Sequence, residues 1–190
     1  VIHQPDVSLR VTFFETIAAD IDRLRENDHG LRALIRGLLS QGFQAVLVYR
    51  IFRWCHERHI PTQPLRFCIE RFIEMTTGIS IPVQAQIGKG LRIHHFGGIF
   101  IHSDVVIGTG CTIYHGVTLG DLGGYGGVPR VGDHVMIGAG AKLLGSIQIG
   151  DHCRIGANAV VRTSVPDGCV AVGVPAVVRR PSRPEVTTQT

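Results

Sequence analysis

From Ile81 to Val161 an aliphatic residue returns at every sixth position. Ile81, Ile87, Ile93 and Ile99 make one run, and Ile101, Ile107, Ile113 and Leu119 a second. Val131, Ile137, Leu143, Ile149, Ile155 and Val161 make a third. Glycine often follows at once, as at Gly88, Gly108, Gly120, Gly132, Gly138, Gly150 and Gly156. Four residues after each aliphatic comes a second apolar position, usually small: Val105, Cys111, Val117, Val135, Ala141, Ile147, Cys153 and Ala159. A six-residue period fits no α-helical repeat and belongs with the β-helices. It predicts three short strands per coil, each turning one aliphatic and one small side chain inward. Stacked coils then share a continuous apolar column, and each coil needs its neighbours to bury it. The repeat breaks between Asp121 and Pro129, where Gly123, Gly124, Gly126 and Gly127 surround Tyr125. Leu119 and Val131 lie two hexads apart with no aliphatic between them, which predicts a loop extruded from the coil over 121–129.

Ahead of the hexads the period changes. Phe14, Ile17, Ile21 and Leu24 step by three and four and predict one apolar helix face, with Asp20, Asp22, Arg23 and Arg25 on the other side. Asn27-Asp28-His29-Gly30 stops that helix. Leu31, Leu34, Ile35, Leu38 and Leu39 predict a second, which Gly42 bends or ends. Phe43 to His59 continues as a third, with Val46, Leu47, Ile51 and Trp54 apolar, until Pro61 and Pro64. Leu65 to Thr77 predicts a fourth carrying Phe67, Ile69, Phe72 and Ile73, closed by Gly78. The expected organisation is a helical N-terminal domain over 11–78, a β-helix over 79–178, and a basic then polar tail over 179–190, with residues 1–10 loose.

Composition adds limits. An apolar content of 44% suits a protein with a proper core, and 24 glycines, mostly among the hexads, meet a demand for tight corners. The formal charge of +4 favours an anionic ligand over nucleic acid, because no Lys/Arg tract with interleaved aromatics occurs. Five cysteines is an odd number without framework spacing; Cys111 and Cys153, on the inward series, are expected to be core thiols, which imply a reducing cytoplasm. Val1 to Arg10 lacks a signal-peptide pattern. The apolar stretch near Phe43 is interrupted by Arg50 and Arg53, too soon to span a bilayer.

With helices, hexads and loop assembled, the chain resembles bacterial serine acetyltransferases of the hexapeptide-repeat superfamily over roughly residues 14–180. In the helices the resemblance rests on Ala19-Asp20-Ile21, Asp28, Gly42-Phe43-Gln44-Ala45 and Tyr49-Arg50-Ile51. In the repeats it rests on Ile87-Gly88-Lys89-Gly90, His95, Val117-Thr118-Leu119-Gly120, the run from Met136 to Lys142, and Gly173-Val174-Pro175-Ala176. It implies a left-handed parallel β-helix, an exception to the right-handed crossover rule. It implies homotrimers with active sites between neighbouring coils. Full-length members pair their trimers through a longer helical domain, so a dimer of trimers stays open here.

The reaction the resemblance implies moves an acetyl group from the co-substrate acetyl-CoA to the hydroxyl of L-serine, with no metal. A hydroxyl is a weak nucleophile at neutral pH, so a base must take its proton as it attacks the thioester. Histidine, with an unperturbed pKa of about 6.5, suits the task and can return the proton to the departing thiolate. His95 matches the family's general base; otherwise it is a histidine at a β-helix edge. Direct transfer needs no enzyme nucleophile, and the inward placing of Cys111 and Cys153 argues against an acyl-cysteine. His94 stands where the family has an aspartate that contacts the serine substrate. Adjacent strand residues face opposite ways, so His94 and His95 share a site only if the chain turns there. Ser80 stands at the family's imidazole-orienting aspartate; it accepts a hydrogen bond but supplies no charge, leaving Asp104 or Asp121 as substitutes. The extruded loop lacks the family's Arg-His pair for the amino acid carboxylate, and Arg130 is the candidate replacement, unless it is a solvated loop residue. Asp28 matches the aspartate that reaches the acceptor's amine, unless it only ends a helix. Gly120, Ala139 and Ala157 match the positions along which CoA's pantetheine arm runs, unless they are ordinary corners. Lys142, Arg179 and Arg180 are candidates for its phosphates.

Two other enzymes fit parts of the pattern. The altered acceptor residues allow O-acetylation of another hydroxyl compound, such as a sugar in polysaccharide biosynthesis. Ten histidines allow a zinc hydrolyase of the γ-carbonic anhydrase type, although that family's His-x₄-His spacing is missing. A scaffold role beside the sulfhydrylase that makes cysteine is not expected, because the sequence closes on Thr187-Thr188-Gln189-Thr190 without the family's docking isoleucine, and cysteine feedback is likewise unsupported.

Overall fold

The computed structural model describes residues 12–24, 31–95, 97–124 and 126–180. The expectations for residues 1–10, Asp28 with its helix stop, Tyr125 and the tail from 181 fall outside them, as do the side chains of Leu31 and Leu34. Four helices come first: α1 (Phe13–Leu24), α2 (Leu31–Leu38), α3 (Gln41–Glu57) and α4 (Leu65–Thr77). The break between α2 and α3 lies two residues earlier than the sequence suggests. Ser40 is the N-cap of α3, its Oγ accepting from the Phe43 amide at 3.3 Å. Gly42 therefore sits inside the first turn of α3 and does not bend a helix. Its role is close approach, since a Cβ there would lie 2.7 Å from the Ile93 carbonyl oxygen. Gly78 closes α4 as expected, in the left-handed region at φ 65°.

The remainder is a left-handed parallel β-helix. Its first coil carries β1 (Ile79–Ser80), β2 (Gln86–Ile87) and β3 (Arg92–His94). The second carries β4 (Ile99–Ile101), β5 (Val106–Ile107) and β6 (Thr112–Tyr114). The third carries β7 (Thr118–Gly120), β8 (Arg130–Val131) and β9 (Met136–Ile137). The fourth carries β10 (Lys142–Leu144), β11 (Gln148–Ile149) and β12 (Arg154–Ile155). The last has β13 (Val160–Val161) and β14 (Val170–Val172), and β15 (Val177–Arg179) folds back antiparallel on β14. Three sheets form the three sides: β1-β4-β7-β10-β13, β2-β5-β8-β11 and β3-β6-β9-β12-β14-β15. Ile101, Ile107, Ile113, Leu119, Ile137, Leu143 and Val161 are fully buried, as are their small partners Cys111, Val117, Ala141, Cys153 and Ala159. Each large aliphatic there contributes about 1.5–3 kcal/mol by leaving water.

Register shows where the hexads are interrupted. Ile137 pairs with Ile155, a step of eighteen, or three hexads. Ile113 pairs with Ile137, a step of twenty-four, because the loop adds one hexad between β7 and β8. Ile93 pairs with Ile113, a step of twenty, because two further residues enter the corner between β3 and β4. That is the same slip that separates the Ile81–Ile99 run from the Ile101–Leu119 run.

The helices are fastened to the first coils by charge. Asp20, expected on the polar face of α1, is 1% exposed. Arg50, expected only to interrupt an apolar stretch, meets it with Nε at 2.9 Å from Oδ2 and donates to the carbonyls of Ile87 and Gly88 at 2.6 Å each. Asp20 Oδ1 also accepts from the amides of Gly90 and Leu91 at 2.8 and 3.0 Å. Arg23 Nη2 donates to Thr112 Oγ1 at 2.9 Å, and Arg53 Nη1 donates to the carbonyls of Val83 and Gln84. Phe14 turns outward and Phe13 packs on Trp54 instead, 5.8 Å between ring centroids. Phe67 and Phe72, two of the apolar residues that mark α4 in the sequence, are exposed. Among the described residues no helix is long and apolar enough to cross a membrane.

Candidate active site

The corner between β3 and β4 is unlike the other corners of its column. At the matching corners of later coils the chain turns in one pattern: the Gly116 amide donates to the Gly97 carbonyl, Gly140 to His115 and Asn158 to Ala139. Gly97, His115, Ala139 and Ala157 therefore stack one above another, a coil apart. His95 precedes Gly97 within the two-residue insertion, at φ 63°. The chain does turn there, so His94 and His95 are not held on opposite faces of one strand. His94, the last residue of β3, stacks on Tyr114 at 4.9 Å and 12°. His95 is exposed, its ring centroid 6.3 Å from that of His94 and 5.8 Å from that of His115, nearly perpendicular to the latter at 78°.

On its outer side His95 meets a cavity of about 800 Å³. The other walls are Arg32 and Ile35 of α2, Leu39, and Ser40, Gln41 and Gly42 at the start of α3. The close approach of Gly42 to Ile93 sets this N-terminus against β3, next to His95. A helix N-terminus and an arginine give that wall a positive field, suited to a carboxylate. Asp28 belongs to the connection between α1 and α2, outside the described residues.

The other expected residues are dispersed. Ser80 lines a separate cavity of about 180 Å³ between β1, α3 and α4, with Tyr49, Glu70 and Glu74. Burial raises the Glu70 carboxyl above its ordinary range. Asp104 has its amide and a carboxylate oxygen near His102 Nδ1, at 3.2 and 3.9 Å, and Asp121 Oδ2 accepts from the Gly124 amide in the extruded loop. Both of the substitutes considered for the orienting aspartate are thus engaged elsewhere. Arg130 opens β8, exposed, on a different side of the coil from His95. Gly120 ends β7 at the opposite end of the first sheet from Ala139 and Ala157. A Cβ on Gly120 would meet only Thr118 Cγ2, at 3.9 Å, and its φ is not in the left-handed region, so the fold does not itself require glycine there. Lys142 Nζ donates to the Gly116 carbonyl and to Thr118 Oγ1, which ties it to the neighbouring coil. Arg179 and Arg180 are exposed at the far end of the β-helix.

Burial pushes the Cys111 thiol up to about 12 and the Cys153 thiol upward as well. Both are protonated at neutral pH and are not nucleophiles. Among the described residues, no group of three or more His, Cys, Asp or Glu is placed to hold a metal ion. Two residues around His95 escape a sequence reading: Arg32, which lines the cavity with it, and His115, whose ring lies beside it. Arg32 looks like the polar side of an amphipathic helix, and His115 is one of ten histidines. The available signal for His115 was the two-residue slip, which places it one coil, twenty residues, after His95.

The family model for bacterial transferase hexapeptide (six repeats) matches residues 129–163. A serine acetyltransferase of Synechococcus elongatus is 39% identical over 165 residues, covering 85% of this chain and 67% of that one. A serine acetyltransferase of Helicobacter pylori is 44% identical over 141 residues, covering 73% of this chain and 81% of that one. Among solved structures, a serine acetyltransferase in complex with CoA superposes with a TM-score of 0.77 at 34% identity, over 88% of this chain and 69% of that one.

Proposed function

The chain belongs to the serine acetyltransferase family, and we propose that it transfers the acetyl group of acetyl-CoA to the hydroxyl of L-serine, giving O-acetyl-L-serine and CoA. The observation that carries this is the corner itself. Two extra residues set His95 apart from the hexad pattern, where it lines a cavity of about 800 Å³ and lies beside the stacked column of Gly97, His115, Ala139 and Ala157.

In this reading L-serine occupies the cavity, its carboxylate toward Arg32 and the N-terminus of α3, and Asp28, outside the described residues, stays the candidate for its amine. His95 takes the hydroxyl proton as the oxygen attacks the thioester carbon. When the carbon–sulfur bond breaks, the same imidazolium returns the proton to the thiolate. His94 borders the acceptor side. The pantetheine arm lies along Ala139 and Ala157, where small side chains permit close approach. Ser80 and the missing aspartate leave the base without a charged orienting partner, so its position is set by the corner backbone.

A homotrimer is part of this reading, and the dispersal of the other residues supports it. In one chain Gly120 and Arg130 lie away from the His95 corner, and a neighbouring copy is what would bring its own Gly120 and Arg130 there. We keep the division into helices over 11–78, coils over 79–178 and a tail from 179, with Arg179 and Arg180 toward the CoA phosphates. The test is His95→Ala in a thiol-release assay with acetyl-CoA and L-serine. The rate is expected to fall by at least about 10²-fold, as for loss of a general base. A variant within a few-fold of the parent refutes the assignment.

A further inference from the structure

We propose that Asp20 is a positioning residue of this site: it joins α1, α3 and the first coil at one point, and through them holds the α2 wall, with Arg32, in place against His95. The inference rests on the acetyl-transfer reading above and gives a part in acceptor binding to a residue outside the cavity.

The cavity takes its walls from two bodies. Ile93 and His95 belong to the first coil and its corner, whereas Arg32, Ile35, Leu39 and the start of α3 belong to the helices. The distance between Arg32 and His95 therefore depends on how the helices sit on the coil. α2, which carries Arg32 and Ile35, packs on α1 and on α3. Its approach to α1 is close at Gly37, where a Cβ would lie 3.0 Å from Leu24 Cβ. The place of α2 is thus inherited from its two neighbours.

Asp20 fixes both neighbours at once. Its Oδ2 accepts from Arg50 Nε at 2.9 Å, and its Oδ1 accepts from Arg50 Nη2 at 3.3 Å and from the amides of Gly90 and Leu91 at 2.8 and 3.0 Å. Arg50 goes on to the carbonyls of Ile87 and Gly88. One carboxylate, 1% exposed, so ties α1 to α3 and both to the turn that enters β3, the strand that His95 follows. Three residues on, Arg23 donates to Thr112 Oγ1 of β6 at 2.9 Å. A buried ion pair is often no more stabilising than apolar packing of the same volume, but each of its bonds demands a direction, so it admits one arrangement. The donor column at Ala139 and Ala157 lies on later coils, while α1 and α3 pack on β3. Loosening this joint should therefore weaken the hold on the acceptor and leave the donor side alone.

The experiment compares Asp20→Asn, Gly37→Leu and Ile149→Ala with the parent, at a temperature where circular dichroism shows each of them folded. Asparagine keeps the shape of Asp20 and removes its charge. Leucine at 37 forces α2 away from α1 and leaves the ion pair intact. Ile149, 2% exposed in the fourth coil, serves as a core truncation that lowers Tm without touching the joint. Thiol release measures kcat and the KM for each substrate, and calorimetry measures Kd for CoA. Asp20→Asn and Gly37→Leu are each expected to raise the KM for L-serine by about tenfold, comparable to losing a charge-assisted bond to its carboxylate. The KM for acetyl-CoA and Kd for CoA should stay within about threefold in both, as should the serine KM of Ile149→Ala. A parental serine KM in either variant overturns the proposal, and if Asp20→Asn does not fold, Gly37→Leu decides alone. An equal rise in Ile149→Ala, or a matching rise in the KM for acetyl-CoA, also overturns it, because general destabilisation would then account for the effect. A parent that releases no thiol with L-serine overturns the acetyl-transfer reading itself, and this assignment with it.

Discussion

His95 owes its position to the backbone. Its φ of 63° is a conformation that costs a residue other than glycine about 1–3 kcal/mol, although His134, His152 and Asn158 adopt it at ordinary corners. The insertion therefore distinguishes His95 more than its φ does. The slip was visible in the sequence as two hexad runs out of phase, and the resemblance made His95 the proposed base. What surrounds His95 was not visible, because Arg32 and His115 come to its neighbourhood through tertiary packing of other elements. Arg32 yields a prediction at this scale. A charge-assisted bond to a carboxylate is worth about 1.5–3 kcal/mol. Arg32→Ala should therefore raise the KM for L-serine by about tenfold and leave that for acetyl-CoA unchanged in steady-state kinetics. An unchanged serine KM would remove Arg32 from the acceptor site.

The elements divide by how local their causes are. Coils were legible because each strand is defined by its own aliphatic and small inward residues, repeated at one period. Helix existence was legible from three- and four-residue spacing. The junctions were less so. Gly42 suggested a bend, but the deciding residues were Ser40 as cap and Ile93 as neighbour, the latter far along the chain. The polar face of α1 suggested solvent, but Asp20 and Arg50 form a buried pair that also satisfies carbonyls and amides of the first coils. Removing one member strands the other: breaking a buried pair costs about 3–5 kcal/mol. At about 2–4 °C per kcal/mol for a chain of this size, Asp20→Ala should lower Tm by roughly 10 °C in a calorimetric scan. A change within about 2 °C would show that apolar packing, not this pair, seats the helices. Since Arg50 reaches Ile87 and Gly88 in the coil that bears His95, activity should fall along with Tm.

At the scale of the molecule, the β-helix supplies a rigid ladder and the helices supply a wall. Neither alone makes the cavity beside His95, which exists where α2 and α3 lean on β3 beside the displaced corner. Homology over both parts explains why the two are read together, since the relatives align over 85% and 73% of the chain. The altered positions His94 and Arg130 concern the proposed acceptor side, so the identity of the acceptor is the point to test. The decisive measurement is CoA release from acetyl-CoA by the purified protein, across L-serine and a panel of hydroxylated sugars, with the acetylated product identified by mass. Saturable release with L-serine and formation of O-acetyl-L-serine is the predicted result. Turnover of a sugar with none of L-serine would contradict it.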